Sequence, residues 1–103
     1  MESISPGYYS VIPADVRYDK ELRPNAKLLY GELTALCNQH GYCWATNDYF
    51  AELYGLSAVT VSRLISQLEK SGYIRCEMAA GQKGIERRIY AGAFLVSPLE
   101  GGS

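Results

Sequence analysis

The stretch FAELYGLSAVTVSRL, residues 50–64, decides the fold of this chain. Two helices that cross at a steep angle need a small residue at their contact, a glycine in the short turn between them and apolar residues beneath the second helix. The residues at these positions are Ala51, Gly55, Leu56, Val61 and Leu64. The stretch therefore predicts a helix-turn-helix, and the alternative is a generic helical hairpin in which the same residues only fill a core.

Three helices are predicted from apolar periodicity, N-cap residues and glycines. They lie at residues 24–40, from Thr46 to Tyr54 and at residues 58–71. Pro24 is tolerated at a first helical position, Gly41 is suited to the end of the first helix, and Ser57 caps the third. The segment Tyr42-Cys43-Trp44 is short enough to be only a loop or a small strand.

Extended segments flank these helices. A strand is predicted from Tyr8 to Ile12, followed by a helical turn from Ala14 to Tyr18. A hairpin is predicted from strands at 73–78 and 87–90, with a flexible basic tip at 79–84. We expect one α+β domain at residues 1–91. Residues 92–103 then form a C-terminal apolar segment, from Ala93 to Val96, and a linker.

Composition excludes several classes of protein. The chain has 103 residues with 48% hydrophobic and 20% charged residues, which fits one folded domain rather than a disordered chain. No apolar run approaches 18 residues and the N-terminus lacks a basic region with an apolar core, so we expect a cytoplasmic protein without membrane association. With one histidine and no phosphate-binding loop, we expect neither an enzyme nor a cofactor.

A zinc site is the main alternative use of the thiols and of the single histidine. Cys37, His40, Cys43 and Cys76 could supply four ligands. Their spacing matches no finger or ribbon, and Cys37 lies on the apolar stripe of the first helix. We therefore expect free structural thiols and no metal.

Charge is unevenly distributed along the chain, although the formal net charge is only -1. Residues 1–56 carry four basic and seven acidic groups, whereas residues 57–90 carry six basic and three acidic groups. The later segment, which holds the third helix and the hairpin, is the candidate surface for a polyanion.

Four linked motifs give the sequence a resemblance to a known group of proteins. They are Leu22–Tyr30, Gly41–Asn47, Leu56-Ser57 with Thr60–Leu68, and Gly72–Arg75. Together they resemble the N-terminal domain of phage and plasmid replication proteins, the replisome organisers and DnaD-like initiators of Gram-positive bacteria. The resemblance covers about residues 10–91. It implies a winged helix-turn-helix, with a three-helix core, a small antiparallel sheet and a basic wing, that binds origin DNA or mediates self-association.

Candidate DNA contacts lie on the third helix and on the wing. They are Ser57, Ala58, Val59, Thr60, Ser62, Arg63, Ser66, Gln67, Lys83, Arg87 and Arg88. The planar fork of Arg63 suits a guanine or a phosphate. Ala58 and Val59 depart from the polar residues usual in similar proteins, and they suit a thymine methyl group or a protein interface. Arg87 and Arg88 point to opposite faces of a strand, so we expect at most one of them to meet DNA.

The sequence thus predicts a double-stranded DNA-binding domain of a replication initiation protein. The third helix would lie in the major groove and the wing on phosphates. We also expect a homodimer, formed through the N-terminal strand or the C-terminal apolar segment. Two alternatives use the same residues: a module for self-association or for binding other replisome proteins, and a transcription regulator.

Overall fold

Helices fill the first two thirds of the part of the chain that the computed structural model describes, residues 11–81 and 84–95. The elements are α1 (Ala14–Arg17), α2 (Pro24–His40), α3 (Asn47–Tyr54), α4 (Ala58–Lys70), β1 (Ile74–Gly81), β2 (Gly84–Ala91) and a 3-10 turn at Gly92–Phe94. The predicted helix at 24–40, the one that ends at Tyr54 and the turn near Ala14 are confirmed. The third helix ends at Lys70 rather than at residue 71, because Ser71 is its C-cap.

The sheet is an antiparallel hairpin with a short third segment beside it. Ile74 pairs with Ala91 at the base of the hairpin and Gly81 pairs with Gly84 at its tip. On the other edge of β2, the backbones of Cys43 and Ile89 exchange two hydrogen bonds of 2.9 Å. The predicted small strand around Cys43 is therefore a single bridge. Together with helices α2, α3 and α4, this sheet gives the α+β layout of a winged helix.

One apolar core joins the helices to the sheet. Its largest fully buried side chains are Leu29, Leu33 and Leu36 of α2, Phe50 of α3, Val61 and Leu68 of α4, Ile89 of β2, and Val16, Cys37 and Cys43. The leucines of α2 recur at steps of four and three residues, which keeps them on one helix face. Burying one leucine stabilises the fold by about 1.5–3 kcal/mol.

The hairpin is longer than the sequence predicts, and the expected turn at 79–84 is wrong. Ala79, Ala80 and Gly81 belong to β1, and β2 begins at Gly84 rather than at residue 87. Backbone pairing continues through these small residues because β2 offers partners such as Ile85, which pairs with Ala80. Lys83, expected at the tip, lies outside the described residues.

The structure near the two ends of the described chain agrees only in part with the sequence prediction. Val11 and Ile12 belong to neither a helix nor a strand, so the predicted strand does not reach them, and residues 8–10 lie outside the described part. After β2, Arg75 Nε donates a hydrogen bond to the Leu95 carbonyl at 3.1 Å. The domain boundary after residue 91 stays a prediction. No helix in residues 11–81 and 84–95 is long and apolar enough to span a bilayer.

Candidate nucleic-acid interface

The turn between α3 and α4 is fixed by one glycine and two caps. Gly55 has φ 68°, a left-handed conformation that glycine adopts without a steric penalty, and Leu56 N then donates to the Ala51 carbonyl. Ser57 Oγ accepts a hydrogen bond from Thr60 N at 3.1 Å and begins α4. Local sequence thus sets both the end of α3 and the first turn of α4.

Helix α4 has one buried face and one exposed face. Val61, Leu64, Ile65 and Leu68 pack into the core. Among the predicted contact residues, Ser57, Val59, Ser62, Arg63 and Ser66 are exposed, whereas Ala58 and Thr60 are half-buried. The structure therefore brings most of the predicted contacts on this helix to one outward surface. Val59 is 61% exposed, so helix α3 does not cover it.

Gln67 lies on the flank of α4 that faces the loop before α2. Its Oε1 accepts a hydrogen bond from Arg23 N at 3.1 Å, and its Nε2 donates to the Glu21 carbonyl at 3.3 Å. Both ends of the amide group are therefore bound to backbone within the protein. This side chain ties α4 to the start of α2 and is not free to contact DNA without breaking these bonds.

A cleft of about 130 Å³ lies on the same flank of α4. It is lined by Arg23, Thr60, Arg63, Leu64 and Gln67. Arg23 was not among the residues predicted from sequence. Its position beside Arg63 depends on the link between Gln67 and the loop, and local sequence carries no signal of that link.

The helix-turn-helix geometry agrees with a family comparison. A family model described as a helix-turn-helix domain matches residues 20–74, more than half of the chain. The chain belongs to this helix-turn-helix domain family. No curated protein and no solved structure matches the chain. The family match covers α2, α3 and α4 of the helix-turn-helix domain and ends where the hairpin begins.

The guanidinium group of Arg87 is hydrogen-bonded to residues at the start of α3. Its Nη1 donates to Asn47 Oδ1 at 2.7 Å, and its Nη2 donates to the Ala45 carbonyl at 2.9 Å. The fork of the guanidinium thereby connects β2 to the segment that leads into α3. This contact gives Arg87 a structural role. A phosphate contact by Arg87 would require these hydrogen bonds to break and stays a prediction.

Arg88 points to the opposite face of the sheet, as strand alternation predicts. Its Nε donates to Glu86 Oε2 at 2.9 Å, and its guanidinium lies 4.6 Å from the centre of the Tyr42 ring. The hydrogen bond with Glu86 raises the pKa of Arg88. The Tyr42 ring in turn contacts the Trp44 ring. A contact of Arg88 with DNA would compete with these partners and stays a prediction.

The thiols have structural surroundings. Cys37 Sγ donates to the Ile89 carbonyl at 3.3 Å, and Cys43 is fully buried. Burial raises the pKa of Cys43 to about 12 and also raises the pKa of Cys37. Within the described ranges, no three His, Cys, Asp or Glu residues are grouped so that they could hold a metal ion. His40 instead stacks edge to face with Trp44.

Proposed function

We propose that this helix-turn-helix domain binds double-stranded DNA with α4 in the major groove. The observation that carries the proposal is the outward face of α4. Val59, Ser62, Arg63 and Ser66 are exposed there, and in the described part of the chain their side chains form no hydrogen bond or ion pair. The three polar side chains remain available to base edges and phosphates, and Val59 can contact a thymine methyl group.

The charge around this face supports a modest affinity for phosphates. Arg63 and Lys70 are exposed on α4 and Arg23 is exposed beside it. The carboxylate of Glu69 accepts a hydrogen bond from Cys76 N at 3.2 Å, which directs it toward β1. Because Arg23 and Arg63 lie beside each other, these three cations can neutralise two phosphates, which gives the plot of log affinity against log salt a slope of about -1.8.

Fluorescence anisotropy with a labelled mixed-sequence duplex of 20 base pairs tests the proposal. We expect binding at 50 mM salt that weakens as salt rises. Ser66→Glu places a negative charge in the middle of the outward face and should weaken binding at least tenfold. Gln39→Glu adds the same charge at the exposed C-terminal end of α2 and serves as the control. No binding of the wild-type protein, or equal losses in the two variants, would contradict the proposed orientation.

We further propose that this DNA-binding domain acts in replication initiation in the cytoplasm. It is supported by the resemblance of residues 10–91 to N-terminal domains of phage and plasmid replication proteins. A transcription regulator would place the same helix in the same groove, so DNA binding alone does not separate the two functions. Disrupting the gene should stop replication of the replicon that carries it. Continued replication, with altered transcription of neighbouring genes, would favour the regulator instead.

We also propose that the domain forms a homodimer and that it contacts other replisome proteins. A two-fold dimer would present two copies of α4 to successive half-sites, about one helical turn apart. Exposed apolar residues outside α4 support a protein contact, because Met78 and Ile85 on the hairpin are 67% and 71% exposed. Sedimentation equilibrium should give a dimer mass. A mass of 11.4 kDa that persists at high micromolar concentration would leave the domain as a monomer.

A further inference from the structure

We propose that Arg23 and Arg63 together bind one phosphate group of the DNA backbone. The two residues line the same cleft of about 130 Å³, together with Thr60, Leu64 and Gln67. Among the described residues, no carboxylate lines this cleft. These residues carry two guanidinium groups and a hydroxyl, which match the charge and the hydrogen-bonding pattern of a phosphate. The inference rests on the proposed function and names a contact within it.

Neither guanidinium has a competing partner. In residues 11–81 and 84–95, the side chains of Arg23 and Arg63 form no hydrogen bond or ion pair. Arg75, Arg87 and Arg88, by contrast, are each bound to an oxygen of the protein. Arg17 likewise donates to the Ile12 carbonyl. Among the arginines of the described residues, the two whose side chains form no hydrogen bond are therefore those that line the cleft.

The structure fixes the backbone positions from which both arginines reach the cleft. Gln67 holds the Arg23 backbone against α4 through the bond to Arg23 N. Gln67 and Arg63 are four residues apart and lie on one flank of α4. Thr60 Oγ1 accepts a hydrogen bond from the Ser57 hydroxyl at 2.9 Å, so its own hydrogen is available to the cleft. The site is thus assembled from two elements that are 40 residues apart in sequence.

The position on the helix flank assigns a role to Arg63. The outermost residues of α4, such as Val59 and Ser66, face the floor of a groove, whereas its flank faces the wall, where the phosphates lie. Arg63 in the cleft then positions the helix and does not read a guanine. Phosphate contacts carry no sequence information, so the loss of Arg63 should weaken binding to every duplex by the same factor.

Double-mutant analysis of DNA binding tests this inference. The probes are two labelled 20-base-pair duplexes, one GC-rich and one AT-rich, titrated with wild-type protein, Arg23→Ala, Arg63→Ala and the double variant. Each single substitution should weaken binding about tenfold on both duplexes. If both arginines hold one phosphate, the double variant loses about ten- to thirtyfold rather than a hundredfold, and its salt slope falls by about 0.9 rather than 1.8.

Lys20→Ala is the matched control, because it removes an exposed cation three residues before Arg23 that does not line the cleft. It should change the affinity less than twofold. Melting temperatures of all variants should stay within about 2 °C of wild type, since the side chains removed have no partners.

Each outcome separates this inference from the proposed function. If the wild-type protein binds neither duplex, the proposed function and the inference both fail. If wild type binds and Arg23→Ala binds equally well, the inference alone fails. Additive losses with a slope change near 1.8 would mean two separate phosphates, and a loss confined to one duplex on Arg63→Ala would mean base reading. Either result overturns the shared phosphate site.

Discussion

Replacing Arg87 with alanine should destabilise the domain without changing its electrostatic contact with DNA. In the structure, the guanidinium of Arg87 donates two hydrogen bonds, to Asn47 Oδ1 and to the Ala45 carbonyl. Hydrogen bonds from a charged donor contribute roughly 1.5–3 kcal/mol each. Because the group is half-buried and one side chain makes both bonds, we expect a total loss of about 2 kcal/mol.

Urea unfolding followed by circular dichroism and by the fluorescence of Trp44 measures this loss. For a domain of this size, about 2 kcal/mol lowers the melting temperature by about 8–16 °C. Arg87→Lys keeps the charge but cannot donate both hydrogen bonds in the same geometry. It should therefore recover less than half of the lost free energy of unfolding. Arg63→Ala is the control, since Arg63 is exposed and should change the free energy of unfolding by less than about 0.5 kcal/mol.

The two arginine variants should also differ in their effect on DNA binding. Below its melting temperature, Arg87→Ala should keep the wild-type affinity and salt slope, whereas Arg63→Ala should weaken binding about tenfold. The reasoning would be refuted if Arg87→Ala unfolded at the same urea concentration as Arg63→Ala, or if its salt slope fell by about 0.9. Either result would place Arg87 on the DNA rather than between β2 and α3.

Three further predictions concern the N-cap of α4, the stability of the fold at alkaline pH and the reactivity of a buried thiol. Ser57→Ala removes the acceptor for Thr60 N and should lower the free energy of unfolding by about 1 kcal/mol in urea titrations; no change would mean that the cap is redundant. The hydrogen bond with Asp19 raises the pKa of Tyr73 to about 12, above its usual value of about 10. This hydrogen bond therefore stabilises the fold fully below pH 10, and its contribution is lost as the pH rises through 12. Tyr73→Phe should lose less stability than wild type between pH 9 and pH 11, and equal losses would contradict that cause. Burial raises the pKa of Cys43 to about 12, so iodoacetamide at pH 8 should label this thiol far more slowly in the folded than in the urea-unfolded protein, and equal rates would be inconsistent with the buried thiol.

Local sequence was sufficient to predict the helices and the turn. The ends of α2 and α3 are set by glycines with left-handed backbone, and the starts of α3 and α4 are set by Thr46 and Ser57, which each bond a backbone N–H three residues later. These signals act within one helical turn. They could therefore be read without knowing the tertiary structure.

The candidate site was harder to predict because its contacts span distant parts of the chain. Gln67 bonds to the backbone of Arg23, 44 residues away, and Arg87 bonds to Asn47, 40 residues away. A sequence pattern shows that such side chains are polar and lie on a helix or strand. It does not show whether their donors are used inside the protein. The alternation of Arg87 and Arg88 could be predicted, but their partners could not.

The length of the hairpin is a second case in which tertiary pairing overrides local preference. Ala79, Ala80 and Gly81 have weak strand propensity and were predicted to form a turn. Their partners across the hairpin are Glu86, Ile85 and Gly84. Backbone hydrogen bonds need no particular side chain, so the partner strand extends β1 through residues that the sequence alone assigns to a loop.

The claim that α4 is the DNA-contacting element is tested most directly by a nuclear magnetic resonance titration. Amide chemical shifts of the isotope-labelled domain are recorded while an unlabelled 20-base-pair duplex is added at 50 mM salt. We predict that the largest shifts map to the exposed face of α4, from Val59 to Ser66, and to Arg23 beside it. Shifts confined to the outer sheet face around Tyr42 and Tyr90, or no shifts with duplex in excess, would contradict the account.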